Sequence, residues 1–227
     1  MRPQLRMLFC AALACSGGLL IGCAEVAGDP PDYSDQLGLV PEDDPTPPPD
    51  PNPYQTGDAR LAFGKFYEGG RSETISINGV TTNYFVFEES FTEGASKDQL
   101  EGRVSDEIKL KGPPFTFWGG GFVYDVPFDL SEWTTMYVGF KSSDSSFANF
   151  TLTLQSGSGD TPTDARLNPT AYGYTNDGEW HFLRIPLQDA IDRGFDPTTV
   201  RSPFILSAPG GTARDVLLVD SLYFTKD

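Results

Sequence analysis

The sequence predicts an all-β fold, an antiparallel two-sheet β-sandwich of the jelly-roll kind, and three observations support this prediction. Aromatic residues are abundant, with 17 Phe, 9 Tyr and 3 Trp in 227 residues, and they suit pleated, half-buried strands. The chain also has 24 Gly and 19 Pro, which divide it into segments too short for long helices. Finally, residues 147–155 alternate apolar and polar side chains, as a strand with one buried face does.

Local signals place the individual elements. Asn78-Gly79 favours a hairpin, because glycine accepts the positive φ of a tight turn. Pro113-Pro114 ends the strand before it, and residues 187–194 favour one or two helical turns ended by Gly194. The predicted strands are 60–67, 72–78, 83–91, 104–110, 115–126, 134–141, 147–155, 179–186, 200–208 and 216–225, with loops at 94–102 and 156–169 and a short aromatic segment at 171–174.

The stretch 177–187 gives the clearest single strand. An Asp-Gly turn enters it, and Pro186 ends it by removing a backbone donor. The two faces of this strand are both apolar, with Trp180 and Phe182 on one and Leu183, Ile185 and Leu187 on the other. We therefore expect either that both faces are covered or that a bulge switches the faces midway.

This stretch also resembles the galactose-binding-like β-sandwich domains, in which a turn leads into Trp-His and the strand ends in Ile-Pro-Leu. The order of motifs extends over about residues 115–227 and includes 129–133, 136–140, 194–196, 202–206 and 219–224. It is similar to the accessory domains of bacterial exo-β-glucanases and to several carbohydrate-binding modules. The resemblance implies a sandwich fold more directly than it implies a ligand.

The first 22 residues have the pattern of a secretory signal peptide, since Arg2 and Arg6 precede a short apolar run. The next motif, Leu-Ile-Gly-Cys23, resembles the bacterial lipobox, which implies cleavage before Cys23 and acylation of it with palmitate-type chains. Several acyl chains anchor a protein stably. Because Ala24 follows the cysteine, the resemblance points to the outer membrane of a Gram-negative bacterium, on its periplasmic or surface face. The alternative is an ordinary signal peptide with incidental cysteines.

Residues 23–58 are predicted to be a lipidated, disordered tether before a β-sandwich domain at 59–227. Beyond the cysteine this segment is rich in proline and acidic residues and contains no Lys or Arg, so it has too little apolar surface to offset chain entropy. The whole chain has a formal net charge of −16. Such acidity disfavours nucleic-acid binding, which requires clustered cations.

Sugar-binding sandwiches stack sugars on aromatic faces and hold hydroxyls with polar side chains. Trp118 is the first candidate platform, because three glycines follow it and mark either a bulge or a close approach to the backbone. Tyr172 and Tyr174 are the second candidates. Possible polar partners are Arg71, Asp98, Gln99 and Arg166. The alternatives are a core position for Trp118 and loop packing for the tyrosines, and Trp133 and Trp180 are assigned to the core.

The resemblance also implies a structural calcium ion, held partly by an acid on the last strand. Asp220 has that position, and calcium needs six or more oxygens, so Glu89 or Glu88 would have to contribute. The alternative is a hydrogen-bonded aspartate. All three cysteines lie in the first 23 residues and His181 is the single histidine, which excludes disulfides and ordinary zinc sites from the domain.

These observations favour a non-catalytic, lipid-anchored envelope protein whose domain binds a poly- or oligosaccharide. One alternative is a structural or protein-interaction lipoprotein without a sugar site. Another is a jelly-roll polysaccharide lyase or hydrolase that uses tyrosine, arginine and His181, or two carboxylates. The position of His181 within a strand favours a structural role over that of a general base.

Overall fold

The computed structural model describes residues 60–62, 66, 74–77, 80–124, 126–157 and 161–226. The predicted signal peptide, Cys23, the predicted tether and Arg71 lie outside the described residues. In the described part, the strands are β1 Leu61–Ala62, β2 Thr74–Ile77, β3 Val80–Val86, β4 Phe91–Ser96, β5 Ser105–Leu110, β6 Phe117–Tyr124, β7 Thr135–Lys141, β8 Thr151–Ser156, β9 Thr163–Leu167, β10 His181–Pro186, β11 Val200–Pro209 and β12 Val216–Thr225. One α-helical segment, α1 Leu187–Ile191, follows β10, and single 3-10 turns lie at 87–89, 145–147 and 169–172.

The strands form two antiparallel sheets. Sheet I has the order β10-β7-β12-β5-β4, with β1 also paired to β12. Sheet II has the order β2-β3-β6-β11-β8-β9. Alternate side chains of both sheets enter one shared hydrophobic core, for example Met136 and Val138 from sheet I and Phe122 and Leu152 from sheet II. The predicted all-β, antiparallel two-sheet sandwich is therefore confirmed.

The strand β10 has both faces covered, which resolves the two possibilities left by its sequence. It pairs with β7 without a register shift from His181 to Pro186. Leu183 and Ile185 are fully buried in the core. On the opposite face, the Phe182 ring stacks on Tyr137 with centroids 5.4 Å apart, and Tyr137 in turn stacks on Tyr223 at 5.2 Å.

The strand β12 is irregular between Asp220 and Tyr223. Ser221 takes a left-handed φ of 55° there. Before this point β12 pairs with β5, and after it β12 pairs with β1, so that Leu61 lies opposite Phe224. The bulge thus lets two short neighbours share one side of a long central strand.

Three predicted element assignments were wrong. Residues 94–96 and 163–167 belong to strands rather than to loops, and residues 87–89 form a 3-10 turn rather than the end of the predicted strand 83–91. Both missed strands lie at sheet edges, where one face meets solvent. Their sequences are consequently polar, as in Thr-Asp-Ala-Arg-Leu of β9, and lack the apolar run expected of a central strand. No helix among the described residues has the length and apolar character needed to span a membrane.

Candidate functional site

A groove of about 290 Å³ crosses the outer face of sheet II. Its position follows from strand alternation, because Leu152 and Leu154 of β8 and Ala165 and Leu167 of β9 point into the core. The residues between them therefore point outward. The groove has an aromatic wall, formed by Phe87 and Phe117, and a polar strip on β8 and β9, formed by Thr151, Thr153, Gln155, Asp164 and Arg166. Ile205, Ser207, Ala208 and Pro209 of β11 lie between the two.

The polar strip is organised around the Asp164 carboxylate. Gln155 Nε2 donates to Asp164 Oδ1 at 2.9 Å, and the Arg166 guanidinium contacts Asp164 Oδ2 at 3.2 Å. The Arg166 side chain is nevertheless 72% exposed, so most of its donors face the groove and solvent. With the two threonine hydroxyls, the strip offers amide, carboxylate, guanidinium and hydroxyl groups on two neighbouring strands. Arg166 thus lines the groove, and its role as a polar binding residue stays a prediction.

The aromatic wall consists of two large apolar side chains that remain exposed. Phe87 is 39% exposed and Phe117 is 43% exposed. Their ring centroids lie 5.8 Å apart at an interplanar angle of 63°. Phe85 supports Phe87 from below, edge to face, with a centroid separation of 4.8 Å. Exposed aromatic faces next to a row of polar groups are suited to the C–H faces and hydroxyls of a sugar.

The first two of the three glycines after Trp118 accommodate the protein's own aromatic rings. The strand β6 pairs with β3 and β11 through Gly120 and Gly121 without a register shift, so no bulge occurs there. A Cβ on Gly119 would lie 2.8 Å from Phe87 Cδ2, and one on Gly120 would lie 2.7 Å from Phe91 Cζ. Of the two predicted meanings of this motif, the close approach is the one that the structure contains.

Trp118 is not a stacking platform, and that prediction was wrong. Its side chain is 1% exposed and packs in the core, with its ring centroid 5.1 Å from that of Phe147. It shares the inward face of β6 with Phe122 and Tyr124, because residues an even number of positions apart on a strand point to the same face. The neighbouring Phe117, which the sequence analysis did not single out, faces the groove. The available signal was that Phe117 is adjacent to Trp118, since adjacent residues of a strand point to opposite faces. That signal could be used only once the inward face of β6 was known.

The two predicted tyrosines lie elsewhere. Tyr172 is half-buried against the core, and its hydroxyl donates to Asp189 Oδ2 at 2.9 Å. Burial, with this contact, raises the pKa of Tyr172 to about 12. Tyr174 is buried against Phe140 and Phe150, and burial raises the pKa of its hydroxyl as well. Neither tyrosine lines the groove, so the structure does not bring them together with Arg166.

The remaining predicted polar partners lie outside the groove. Asp98 accepts a hydrogen bond from Trp180 Nε1 at 2.9 Å and pairs with Lys141 at 2.8 Å. The Lys141 contact is the main reason that the pKa of Asp98 is lowered. Gln99 is exposed in the same loop and does not line the groove. Trp180 and Trp133 are half-buried rather than fully buried, and Lys226 Nζ lies 5.1 Å from the Trp133 ring centre.

Asp220 and Glu89 do not form the predicted calcium site. Asp220 is fully buried, and its oxygens accept backbone hydrogen bonds from Leu100, Glu101 and Ser221 at 2.7–3.1 Å. Glu89 is exposed and contacts Lys111 at 3.4 Å. Strand register places the two acids near opposite ends of β5, which spans about 13 Å from Asp106 to Leu110. Among the described residues, no three His, Cys, Asp or Glu side chains cluster to hold a metal ion. Asp220 matches the alternative, a hydrogen-bonded aspartate.

The surroundings of His181 resemble a catalytic cluster in composition but not in arrangement. His181 Nε2 lies 2.8 Å from Asp177 Oδ1 and 3.0 Å from Thr175 Oγ1, and this hydroxyl donates to Asp177 Oδ2 at 2.7 Å. The contact with His181 is the largest cause of a strongly lowered pKa at Asp177. A proton relay needs the acid and the hydroxyl on different ring nitrogens. Here both contact the same nitrogen, so the cluster is suited to holding the turn at 177–178.

No family model and no curated protein matches the chain. Among solved structures, the family 11 carbohydrate-binding module of a cellulosomal cellulase of Clostridium thermocellum is similar, with 14% identity and a TM-score of 0.49 over 73% of this chain and 95% of that one. A family 30 module from the same organism has 16% identity and a TM-score of 0.46 over 76% and 95%. An exo-1,3/1,4-β-glucanase from a Pseudoalteromonas species has 8% identity and a TM-score of 0.49 over 77% of this chain and 21% of that one. At these identities and TM-scores the likeness carries no weight for function, and the sandwich is established by its own strand pairing.

Proposed function

We propose that the domain is a non-catalytic glycan-binding module that binds poly- or oligosaccharide in the groove of sheet II. The observation that carries the proposal is the juxtaposition of two exposed phenylalanine rings with a continuous polar strip on one sheet face. Contiguous exposed apolar patches rimmed by polar residues often mark ligand-binding grooves or interaction sites. A sugar ring fits both halves of this surface, because it has apolar C–H faces and a polar rim.

The groove is long enough for an oligosaccharide. It extends from Phe117 on β6 across β11 and β8 to Arg166 on β9. Three inter-strand spacings of about 4.8 Å give a span of about 14 Å.

The charge balance favours a neutral glycan. The chain has a formal net charge of −16, and the cation in the groove, Arg166, already pairs with Asp164 at 3.2 Å. A polyuronate would meet repulsion that a neutral polysaccharide would not. We therefore expect glucans, xylans or mannans to bind more tightly than polyuronates of the same length.

Binding can be tested with the complete chain carrying Cys23→Ser, so that no lipid is attached. Glycan arrays would identify a ligand, and calorimetry would give its Kd. We expect Phe117→Ala and Arg166→Ala each to weaken binding about tenfold, as loss of a stacking or charged contact does at other interfaces. Tyr172→Phe is the matched control, because it removes one hydroxyl outside the groove and should leave the Kd unchanged.

Two results would count against the proposal. Binding that both groove variants leave intact would place the ligand elsewhere on the domain. A complete absence of binding across neutral and acidic glycans would instead favour the structural or protein-interaction alternative.

We further propose that the mature protein is held by acyl chains on Cys23 in the outer membrane of a Gram-negative bacterium. The lipobox-like sequence and the following Ala24 support this part of the proposal. The groove would then retain an envelope protein on a polysaccharide, or the polysaccharide near the membrane.

A further inference from the structure

The turn that follows β3 has an unusual backbone. Glu88 has a φ of 47° and Glu89 a φ of 54°. For residues other than glycine, this left-handed conformation costs about 1–2 kcal/mol each. Both side chains are exposed, and the one ion pair formed here, between Glu89 and Lys111, is a 3.4 Å surface contact. Neither burial nor a strong contact of the two glutamates therefore accounts for the strained conformation.

Ser90, which comes next, fixes the turn to the sheet. It is 1% exposed, and its amide donates to Phe87 O at 2.8 Å. Its hydroxyl accepts from the Gly119 amide at 3.3 Å, and its carbonyl accepts from the Lys111 amide at 3.0 Å. The strand β3 ends at Val86, so the Ser90 hydroxyl takes the position of the next partner of β6. The turn is thus held at a defined distance from Gly119.

What this turn positions is the Phe87 ring. The ring lies on the outer face of β6 directly over Gly119, where a Cβ would come within 2.8 Å of Phe87 Cδ2. Phe85 meets the ring edge to face at 4.8 Å, and Phe117 does so at 5.8 Å. Three independent features therefore meet at one side chain: a strained turn, a bare glycine and two supporting rings.

We propose that Gly119 and the left-handed pair Glu88 and Glu89 are positioning residues of the groove. They hold the Phe87 ring in place as a preformed wall opposite the polar strip. A ring that is already in place loses no rotamer freedom when a ligand binds. Strain stored beside a binding surface is consistent with such preorganisation. The role of this ring position in ligand binding rests on the proposed function, whereas the ring position itself is a property of the unliganded protein.

Two substitutions at Glu88 separate backbone conformation from side-chain chemistry. Glu88→Gly and Glu88→Val both remove the carboxylate, but only glycine accepts a φ of 47° without strain. In the complete chain carrying Cys23→Ser, nuclear Overhauser contacts between the Phe87 ring and Gly119 Hα show whether the ring lies over Gly119, and they need no ligand. We expect these contacts to persist in Glu88→Gly and to be lost in Glu88→Val. The Kd for a glycan bound by the unsubstituted chain should change less than about twofold in Glu88→Gly and rise about tenfold in Glu88→Val.

The outcomes distinguish this inference from the proposed function. If the contacts between the Phe87 ring and Gly119 survive in Glu88→Val, the claim that the turn positions this ring is overturned, whatever binds in the groove. If these ring contacts respond as expected but the Kd for the glycan is the same in the two variants, the role of the turn in ligand binding is overturned. The proposal that the groove binds glycan would still stand. If the unsubstituted chain bound no glycan, the proposed function would fall, and the ring contacts would still decide whether the turn seats Phe87.

Discussion

At the scale of single residues, Phe117 and Trp118 show how one position along a strand decides between core and surface. Phe117 is 43% exposed beside the groove, whereas Trp118 is 1% exposed and lies among core aromatic rings. Successive side chains in a strand point to opposite faces. A sequence that places two large aromatic residues side by side therefore does not indicate which of them meets solvent.

The same pair gives a stability prediction. Trp118→Ala should lower the free energy of unfolding by about 3–5 kcal/mol, because it opens a large cavity in the core. Phe117→Ala should change it by less than about 1 kcal/mol, since the ring is exposed and its loss leaves no cavity. Urea unfolding of the two variants with equal m-values would measure the difference. Equal losses would contradict the assigned orientations.

Asp220 predicts an unusual dependence of stability on pH. Burial raises the pKa of its carboxyl from 3.8 to about 6, despite the three backbone amides that stabilise the charged form. Between about pH 4 and 6, the folded chain therefore retains a proton that the unfolded chain has released. The free energy of unfolding should fall by up to about 3 kcal/mol as the pH rises through this interval and be level above it.

Four exposed aspartates act in the opposite sense at lower pH. Hydrogen bonds, chiefly from neighbouring side chains, lower the pKa of Asp98, Asp129, Asp177 and Asp196. The stability that they contribute is present above their unfolded pKa and is lost as the pH falls below about 4. Stability should thus be greatest near pH 4. Urea unfolding from pH 3 to 7 would measure the profile, and Asp220→Asn should remove the slope between pH 4 and 6; a variant that kept this slope would assign it to another group.

At the scale of elements, the first strand is fixed by an ion pair on the outer face of sheet I. The Arg60 guanidinium lies 2.7 Å from Glu101 Oε1 and 4.4 Å from the centre of the Tyr223 ring. The two charged side chains are only 16% and 11% exposed. Ser221 Oγ also donates to Glu101 at 3.1 Å. Arg60 therefore connects β1, the loop before β5 and the bulge of β12.

Breaking this pair from one side should be costly. Arg60→Met keeps much of the packing on Tyr223 but leaves the Glu101 carboxylate buried without its cation, and we expect a loss of about 3 kcal/mol. Adding Glu101→Gln should restore part of that loss, because the uncompensated charge is then removed. Thermal and urea unfolding of the single and double variants would test this. A double variant less stable than Arg60→Met alone would contradict the assigned cause.

The elements that could be predicted were those with one strongly apolar face. Strands such as β7 and β8 can be recognised in the sequence because alternate residues enter the core. The edge strand β9 cannot, since Ala165 and Leu167 are its only buried side chains and Asp164 and Arg166 face solvent. The groove is formed largely by such polar edge residues. For that reason Arg166 could be proposed from its chemistry, but its partners on β8 could not.

At the scale of the whole molecule, the sandwich was predictable from composition and from the spacing of turn residues, whereas the site was not. Which sheet face is left open depends on long-range packing. The outer face of sheet I is covered by Tyr137, Phe182 and Tyr223, while that of sheet II exposes Phe87 and Phe117. No local signal distinguishes these two sets of aromatic residues, because each alternates with core residues in the same way.

Lipid anchoring gives a prediction about the complete protein. Cys23→Ser should prevent acylation, so the protein should move from the membrane fraction to the soluble fraction and lose labelling by radioactive palmitate. Cys15→Ser is the matched control, since it lies within the predicted signal peptide and should change neither result. Fractionation and labelling in a Gram-negative host would test this. Membrane retention of Cys23→Ser would point to another anchor.

Both ends of the described domain belong to the same sheet, because β1 and β12 are paired neighbours in sheet I. The groove lies on the opposite sheet. A fluorescent reporter or a biotin tag fused at either end would therefore be attached to the sheet that does not carry the groove. The domain could be immobilised on a sensor surface, or displayed on a particle, with its aromatic wall unobstructed.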